Sequence, residues 1–128
     1  MPDFRYHHLH LISPDPLKTS EFYENILGAR RISFQKIETG AMINLELGGA
    51  IIGIMPPRKQ RLIPAAVEPV YGIEHFGLRT DNLEQSVAEL KARGVTFARD
   101  IIAPMPGFKT SFLVAPENVL VELFEGSA

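Results

Sequence analysis

The chain has 128 residues, 45% of them hydrophobic and 22% charged, proportions that build a folded core and exclude a disordered chain. It contains no cysteine, which excludes disulfides, thiolate metal sites, iron–sulfur clusters and a cysteine nucleophile. Lys and Arg number 13 against 15 Asp and Glu, a formal net charge of -2 that gives nucleic acid no dominant electrostatic hold.

No apolar run approaches the roughly 18 residues of a membrane span. The first residues, Met-Pro-Asp-Phe-Arg-Tyr-His-His, carry no apolar segment of a signal peptide, so the expected location is the cytoplasm. In chain order, the first strand is expected from Arg5 to Ile12. A helix follows, with Asp15 as N-cap, Pro16 at its first position and Gly28 past its end. Leu17, Phe22, Tyr23, Ile26 and Leu27 supply its apolar stripe. Strands are expected from Arg30 to Ile37, Ala41 to Leu47 and Ala50 to Met55, the last two joined by a Gly48-Gly49 hairpin turn.

A proline-bearing basic linker runs from Pro56 to Pro69. The pattern then recurs. A strand from Gly72 to Thr80 leads to a helix starting at Asp81, with Glu84 completing a capping box. Leu83, Val87 and Leu90 recur at helical spacing before Gly94. Strands from Thr96 to Ile102, Thr110 to Ala115 and Val119 to Phe124 complete the second half. The same interval separates Asp15 from Gly28 and Asp81 from Gly94. The expected fold is α+β: a single domain over 1–128, made of half-repeats at about 4–56 and 70–126, each strand–helix–strand–strand–strand.

Strand alternation sorts the side chains. Tyr6, His8, His10 and Ile12 share one face, and Ile73, His75, Gly77 and Arg79 another. Leu120, Glu122 and Phe124 oppose Val119, Val121 and Leu123. Leu9, Leu11, Phe76, Leu78, Val119, Val121 and Leu123 suit the underside of the helices, leaving His8, His10, His75 and Glu122 on the opposite faces. A strand histidine is usually a hydrogen-bonded or exposed residue, and Glu122 can pair with Arg79 or reach solvent. The equivalent places of His8 and His75, with the matching parity of Glu122, favour a divalent metal site instead.

These features resemble the vicinal oxygen chelate superfamily of glyoxalase I, methylmalonyl-CoA epimerase, extradiol dioxygenases, and fosfomycin and bleomycin resistance proteins. The residues that carry the resemblance are His8-x-His10 with Asp15, then Glu21-Phe22-Tyr23 to Ile26-Leu27-Gly28, then Glu74-His75-Phe76-Gly77-Leu78, then Pro116-Glu117-Asn118 to Glu122-Leu123. The resemblance implies two βαβββ modules whose mixed sheets curl into a cup around a divalent metal. It maps the metal ligands to His8, His75 and Glu122. Members of the glyoxalase type take a fourth ligand, Glu or Gln, from the fourth strand, where this chain has Gly53.

Two histidines and one carboxylate form the facial set of non-haem Fe2+ oxygenases, which favours Fe2+, with Mn2+, Ni2+, Zn2+ or Co2+ as the other ions. The best match is a dioxygenase-like enzyme on a small-molecule substrate whose paired oxygens chelate the metal. His10, two residues beyond His8 on the same face, joins Glu122 as a catalytic residue, since histidine's ordinary pKa of about 6.5 suits proton transfer. Tyr6 and the Pro104–Lys109 loop border the cup, with Lys109 a candidate for an anionic substrate and more readily a solvated lysine. The alternatives are an isomerase or lyase of the glyoxalase or epimerase type, with Glu46 or a water completing the metal shell, and a metal-free binding protein of the bleomycin resistance type. Resemblance also implies a homodimer, while the net charge and the lack of a long apolar run point to no nucleic-acid or membrane partner.

Overall fold

In the computed structural model, residues 2–57 and 71–126 are described, so most of the expected basic linker lies outside the described residues. The chain divides into two compact units, Met1–Ile63 and Pro64–Ala128. The first runs β1 (His8–Ile12), α1 (Pro16–Leu27), β2 (Arg30–Ile37), β3 (Gly40–Leu47) and β4 (Ala50–Met55). The second runs β5 (His75–Arg79), α2 (Leu83–Ala92), β6 (Phe97–Met105), β7 (Phe108–Ala115), a 3-10 turn at Pro116–Asn118 and β8 (Val119–Gly126). Each is a βαβββ module, and the α+β class is as expected.

The sheets are mixed and share one plan: β1-β4-β3-β2 in the first unit and β5-β8-β7-β6 in the second. β1 runs parallel to β4 and β5 parallel to β8, while the remaining neighbours are antiparallel. Gly48 and Gly49, both at positive φ, close the β3–β4 turn as expected. β1 starts at His8 rather than Arg5, and β5 at His75 rather than Gly72. β6 extends to Met105 and β7 begins at Phe108, so the expected Pro104–Lys109 loop contracts to a tight turn with Gly107 at φ 77°.

α1 begins as its sequence dictates. The Asp15 carboxylate accepts from the Lys18 amide at 3.1 Å, and Gly28 ends the helix in the left-handed region at φ 76°. Its buried stripe differs from the expected apolar one. Pro16, Thr19, Ser20 and Tyr23 are buried, whereas Leu17 is 42% exposed. Hydrogen bonds make the polar burial tolerable: the hydroxyls of Thr19 and Ser13 pair at 2.7 Å, and that of Ser20 donates to the Leu17 carbonyl at 2.8 Å.

The N-cap of α2 is Asn82, not Asp81; its Oδ1 accepts from the Gln85 amide at 3.1 Å. A side-chain motif shared by the two units explains the shift. The Thr80 and Ser86 hydroxyls pair at 2.6 Å, as those of Ser13 and Thr19 do. One sequence offset therefore relates His8 to His75, Ser13 to Thr80, Asp15 to Asn82 and Thr19 to Ser86. The equal intervals to Gly28 and Gly94 do not follow that offset, because α2 has 10 residues and α1 has 12. A Glu125 oxygen also accepts the Leu83 amide at 2.9 Å, satisfying a first-turn donor of α2.

Helix α1 packs on β3 and β4, and α2 on the β6–β8 strands. Tyr23, Ile43, Leu45, Ile52 and Ile54 form one core; Leu83, Val87, Leu90, Leu113, Val121 and Leu123 form the other. Among the described residues, no helix is long and apolar enough to cross a membrane.

Burial of Tyr23 pushes its phenol well above the ordinary value of 10.0. The native chain then keeps a proton that the unfolded chain releases. This contribution to stability is fully present below about pH 10 and declines as pH rises further. Urea titrations from about pH 8 to 11 should show a steeper loss of stability for the wild type than for Tyr23→Phe; parallel curves would overturn the assignment.

Candidate metal site

In the second unit, β5 and β8 place His75 and Glu122 on one face. The register pairs His75 with Leu120 and Gly77 with Glu122, so the two donors sit on adjacent strands one diagonal apart. His75 Nε2 lies 3.5 Å from Glu122 Oε1. The other carboxylate oxygen of Glu122 accepts from the Thr110 hydroxyl at 2.8 Å. The rings of His75 and Phe112 meet at right angles, with centroids 4.9 Å apart. The pair is half-buried, with side-chain exposures of 30% and 20%.

His75 Nδ1 lies 2.9 Å from Glu74 Oε1. An ionised carboxylate only accepts, so Nδ1 carries the proton. In the neutral ring, Nε2 then presents its lone pair to the Glu122 oxygen. Two lone pairs repel, and 3.5 Å exceeds the roughly 2.7–3.2 Å of a sound N–H···O bond. His75 and Glu122 would together hold a divalent cation, which would offset the carboxylate charge. The carboxylate partner on Nδ1 is the usual support for a metal-bound imidazole. His75 and Glu122 are therefore two donors of the kind that the implied metal would take.

In the first unit, His8 pairs with Ile51 as His75 pairs with Leu120. Its Nδ1 is 2.8 Å from His7 Nδ1, a hydrogen bond in which either ring can be the donor. His7 and Glu74 both immediately precede a strand. Outside the pleat, their side chains swing back to hold the next residue's imidazole. His10 lies on the same face of β1 as His8, with ring centroids 6.2 Å apart. It pairs with Gly53, and a Cβ at position 53 would stand only 3.1 Å from His10 Nδ1. By register, Gly53 is the counterpart of Glu122, as expected from sequence.

The structure thus brings His75 and Glu122 together in one unit and sets His8 and His10 on one strand face in the other. Among the described residues, no group of three or more His, Asp or Glu side chains could hold a metal ion. Glu46 shares the His8 row across the sheet, but its Oε1 accepts the Gly49 amide at 2.8 Å in the hairpin turn. Tyr6 is 73% exposed. Lys109 is neither free nor aimed at the His75 face: its ammonium holds Glu84 at 2.8 Å and approaches Glu125 at 3.9 Å. That hydrogen bond lowers the Glu84 pKa and raises that of Lys109. The Pro104–Lys109 residues line a surface groove of about 470 Å³ together with Glu125.

The supporting residues Glu74, His7 and Thr110 were not expected from sequence. Position immediately before each candidate ligand was the available signal for the first two. Thr110 required the β7–β8 register, in which it pairs with Phe124 one diagonal from Glu122.

Residues 7–114 match the model of the glyoxalase/bleomycin resistance protein/dioxygenase superfamily. An uncharacterised Bacillus subtilis protein, YwkD, is 25% identical over 126 residues, covering 93% of this chain and 94% of its own. The crystal structure of a glyoxalase family protein from Enterococcus faecalis aligns with a TM-score of 0.79 at 21% identity, over 94% of this chain and 97% of that one. The fosfomycin resistance protein FosX of Listeria monocytogenes, solved with Mn(II) and sulfate, aligns with a TM-score of 0.72 at 23% identity, over 96% and 93%. The repeated βαβββ plan, the histidines at equivalent places on β1 and β5, and the family match over most of the chain agree: this chain belongs to the glyoxalase/bleomycin resistance protein/dioxygenase superfamily.

Proposed function

We propose that the chain is a metal-dependent enzyme acting on a small oxygenated substrate, with His8, His75 and Glu122 as the ligands of one divalent cation. Its main support is the 3.5 Å between His75 Nε2 and Glu122 Oε1, both held from behind by hydrogen-bonding partners. The donor set favours Fe2+ and dioxygenase-like chemistry, and also accepts Mn2+, Ni2+, Zn2+ or Co2+. When bound, such a cation polarises substrate oxygens as a Lewis acid and keeps positions open.

The chain's own residues supply the rest. Glu74 and His7 engage Nδ1 of His75 and of His8, which leaves each ring's Nε2 for the cation. Thr110 anchors one oxygen of Glu122 and leaves the other aimed at His75. Phe112 packs its ring at right angles to that of His75. His10, on the His8 face of β1, is the catalytic group assigned to the substrate's oxygens, beside Glu122. The protein acts in the cytoplasm as a homodimer on this reading.

Metal-free protein should take up about one Fe2+ per chain under anaerobic conditions, and His8→Ala, His75→Ala or Glu122→Ala should each abolish uptake. An oxygen electrode with catechols and enediols should then register O2 consumption that requires Fe2+. Turnover without O2, supported by Ni2+ or Co2+, would replace this chemistry with that of an isomerase or lyase. Ligand binding by protein that takes up no metal would leave the metal-free binding role instead.

A further inference from the structure

β5 sets three positions on the face that carries the pair His75 and Glu122: His75 itself, Gly77 and Arg79. Glu122 pairs with Gly77, so it stands level with the midpoint between His75 and Arg79. Each of these is two residues from that level, about 6.6 Å along the strand. Gly77 puts no side chain in the gap, and a Cβ there would stand 3.4 Å from Glu122 Oε1. The sequence allows Glu122 to pair with Arg79, but its carboxylate turns elsewhere. Oε1 faces His75 Nε2 at 3.5 Å, and Oε2 accepts from the Thr110 hydroxyl at 2.8 Å.

The charge of Arg79 is thus left to another partner. Among the described residues, Arg31, Lys91 and Lys109 hold carboxylates. The guanidinium of Arg79 instead lies over the Phe124 ring, 5.2 Å from its centroid, on an exposed side chain. Phe124 is the next residue on the Glu122 face of β8, and its ring stacks on that of Phe108 at 5.6 Å. An aromatic face steadies a guanidinium and supplies no anion to its N–H fork. Arg99 makes the same kind of contact with Phe112, at 5.1 Å. The register puts Phe112 between Arg99 and Glu122, whereas on β5 only Gly77 stands between Arg79 and His75 on that face.

We propose that Arg79 determines specificity: its guanidinium receives the carboxylate of a substrate whose paired oxygens lie at His75 and Glu122. This rests on the metal reading of that pair and adds the substrate's class, an oxygenated carboxylic acid. A planar monoanion matches a single guanidinium fork through two parallel hydrogen bonds. The strand spacing sets that carboxylate about 6–7 Å from the chelating oxygens, roughly the span of one substituted aromatic ring.

The test uses protocatechuate, a catechol that bears a carboxylate, and its neutral amide. Both are titrated calorimetrically into Co2+-loaded and metal-free protein. Wild type should bind the acid roughly 10- to 100-fold more tightly than the amide. Arg79→Met should bind the two alike, Arg79→Lys should keep part of the preference, and Arg99→Met should keep all of it. A preference that persists in Arg79→Met, that Arg99→Met abolishes, or that wild type lacks would overturn the role of Arg79, as would binding of neither probe. If Co2+ then still tightened both probes, the metal reading would stand without Arg79. A preference lost in Arg79→Met but equal with and without Co2+ would keep the role of Arg79 and overturn the metal reading.

Discussion

Glu122→Ala should leave a folded protein that no longer retains a divalent metal through dialysis, and Thr110→Val should weaken retention about 10- to 100-fold. Glu122 is the carboxylate of the proposed set, and one of its oxygens faces His75 Nε2 at 3.5 Å. Removing it takes away both a donor atom and the negative charge that offsets the cation. Thr110 touches only the other oxygen, at 2.8 Å, from a buried position on β7. Valine keeps the shape and deletes the hydroxyl, so the carboxylate keeps its charge and loses its anchor. Thr110→Ser should restore most of the affinity. Metal content after dialysis, read beside a chelator competition curve, separates these cases. Equal affinity in Thr110→Val and wild type would show that the hydroxyl does not orient the carboxylate.

Strand alternation made the donor faces legible. His8 and His10 alternate with the half-buried Leu9 and Leu11, and Glu122 alternates with the buried Val121 and Leu123. That period of two is set by the backbone and survives any error in strand ends. The counterpart relation of Gly53 and Glu122 was legible too, since it needs only matching positions in repeated strands.

What stayed hidden depended on the hydrogen bonds that side chains make with one another and with the backbone. The hydroxyl pairs Ser13–Thr19 and Thr80–Ser86 turn expected surface positions of each helix inward and set the cap of α2 at Asn82. Capping patterns alone did not separate Asp81 from Asn82, because both are good N-cap residues. Glu46 faces the same side as His8, yet a hairpin amide takes its carboxylate. Such competition between a turn and a site appears only when both are built. The partners of Lys109 follow the same logic: the extended β6–β7 hairpin brings it to the first turn of α2, where Glu84 stands.

Leu113→Ala should lower the stability of the chain by about 3 kcal/mol without moving the metal pair. Leu113 is fully buried in the middle of β7, between Phe97 on β6 and Val121 on β8, on the face that α2 covers. Truncation removes three carbons and leaves a cavity among side chains that are themselves fixed by register. Leu113→Met, which conserves volume, should cost less than about 1.5 kcal/mol. Urea titration should show a lower midpoint with an unchanged slope. Its chain neighbour Phe112 points to the opposite face, against His75 at a 4.9 Å centroid distance. The hydrogen bonds that hold His75 and Glu122 come from Glu74 and Thr110, not from the core. Below its unfolding transition, Leu113→Ala should therefore bind metal within a few-fold of wild type, the opposite of Glu122→Ala. Loss of metal from folded Leu113→Ala would show that packing beneath β7, rather than the Thr110 hydroxyl, aims the Glu122 carboxylate.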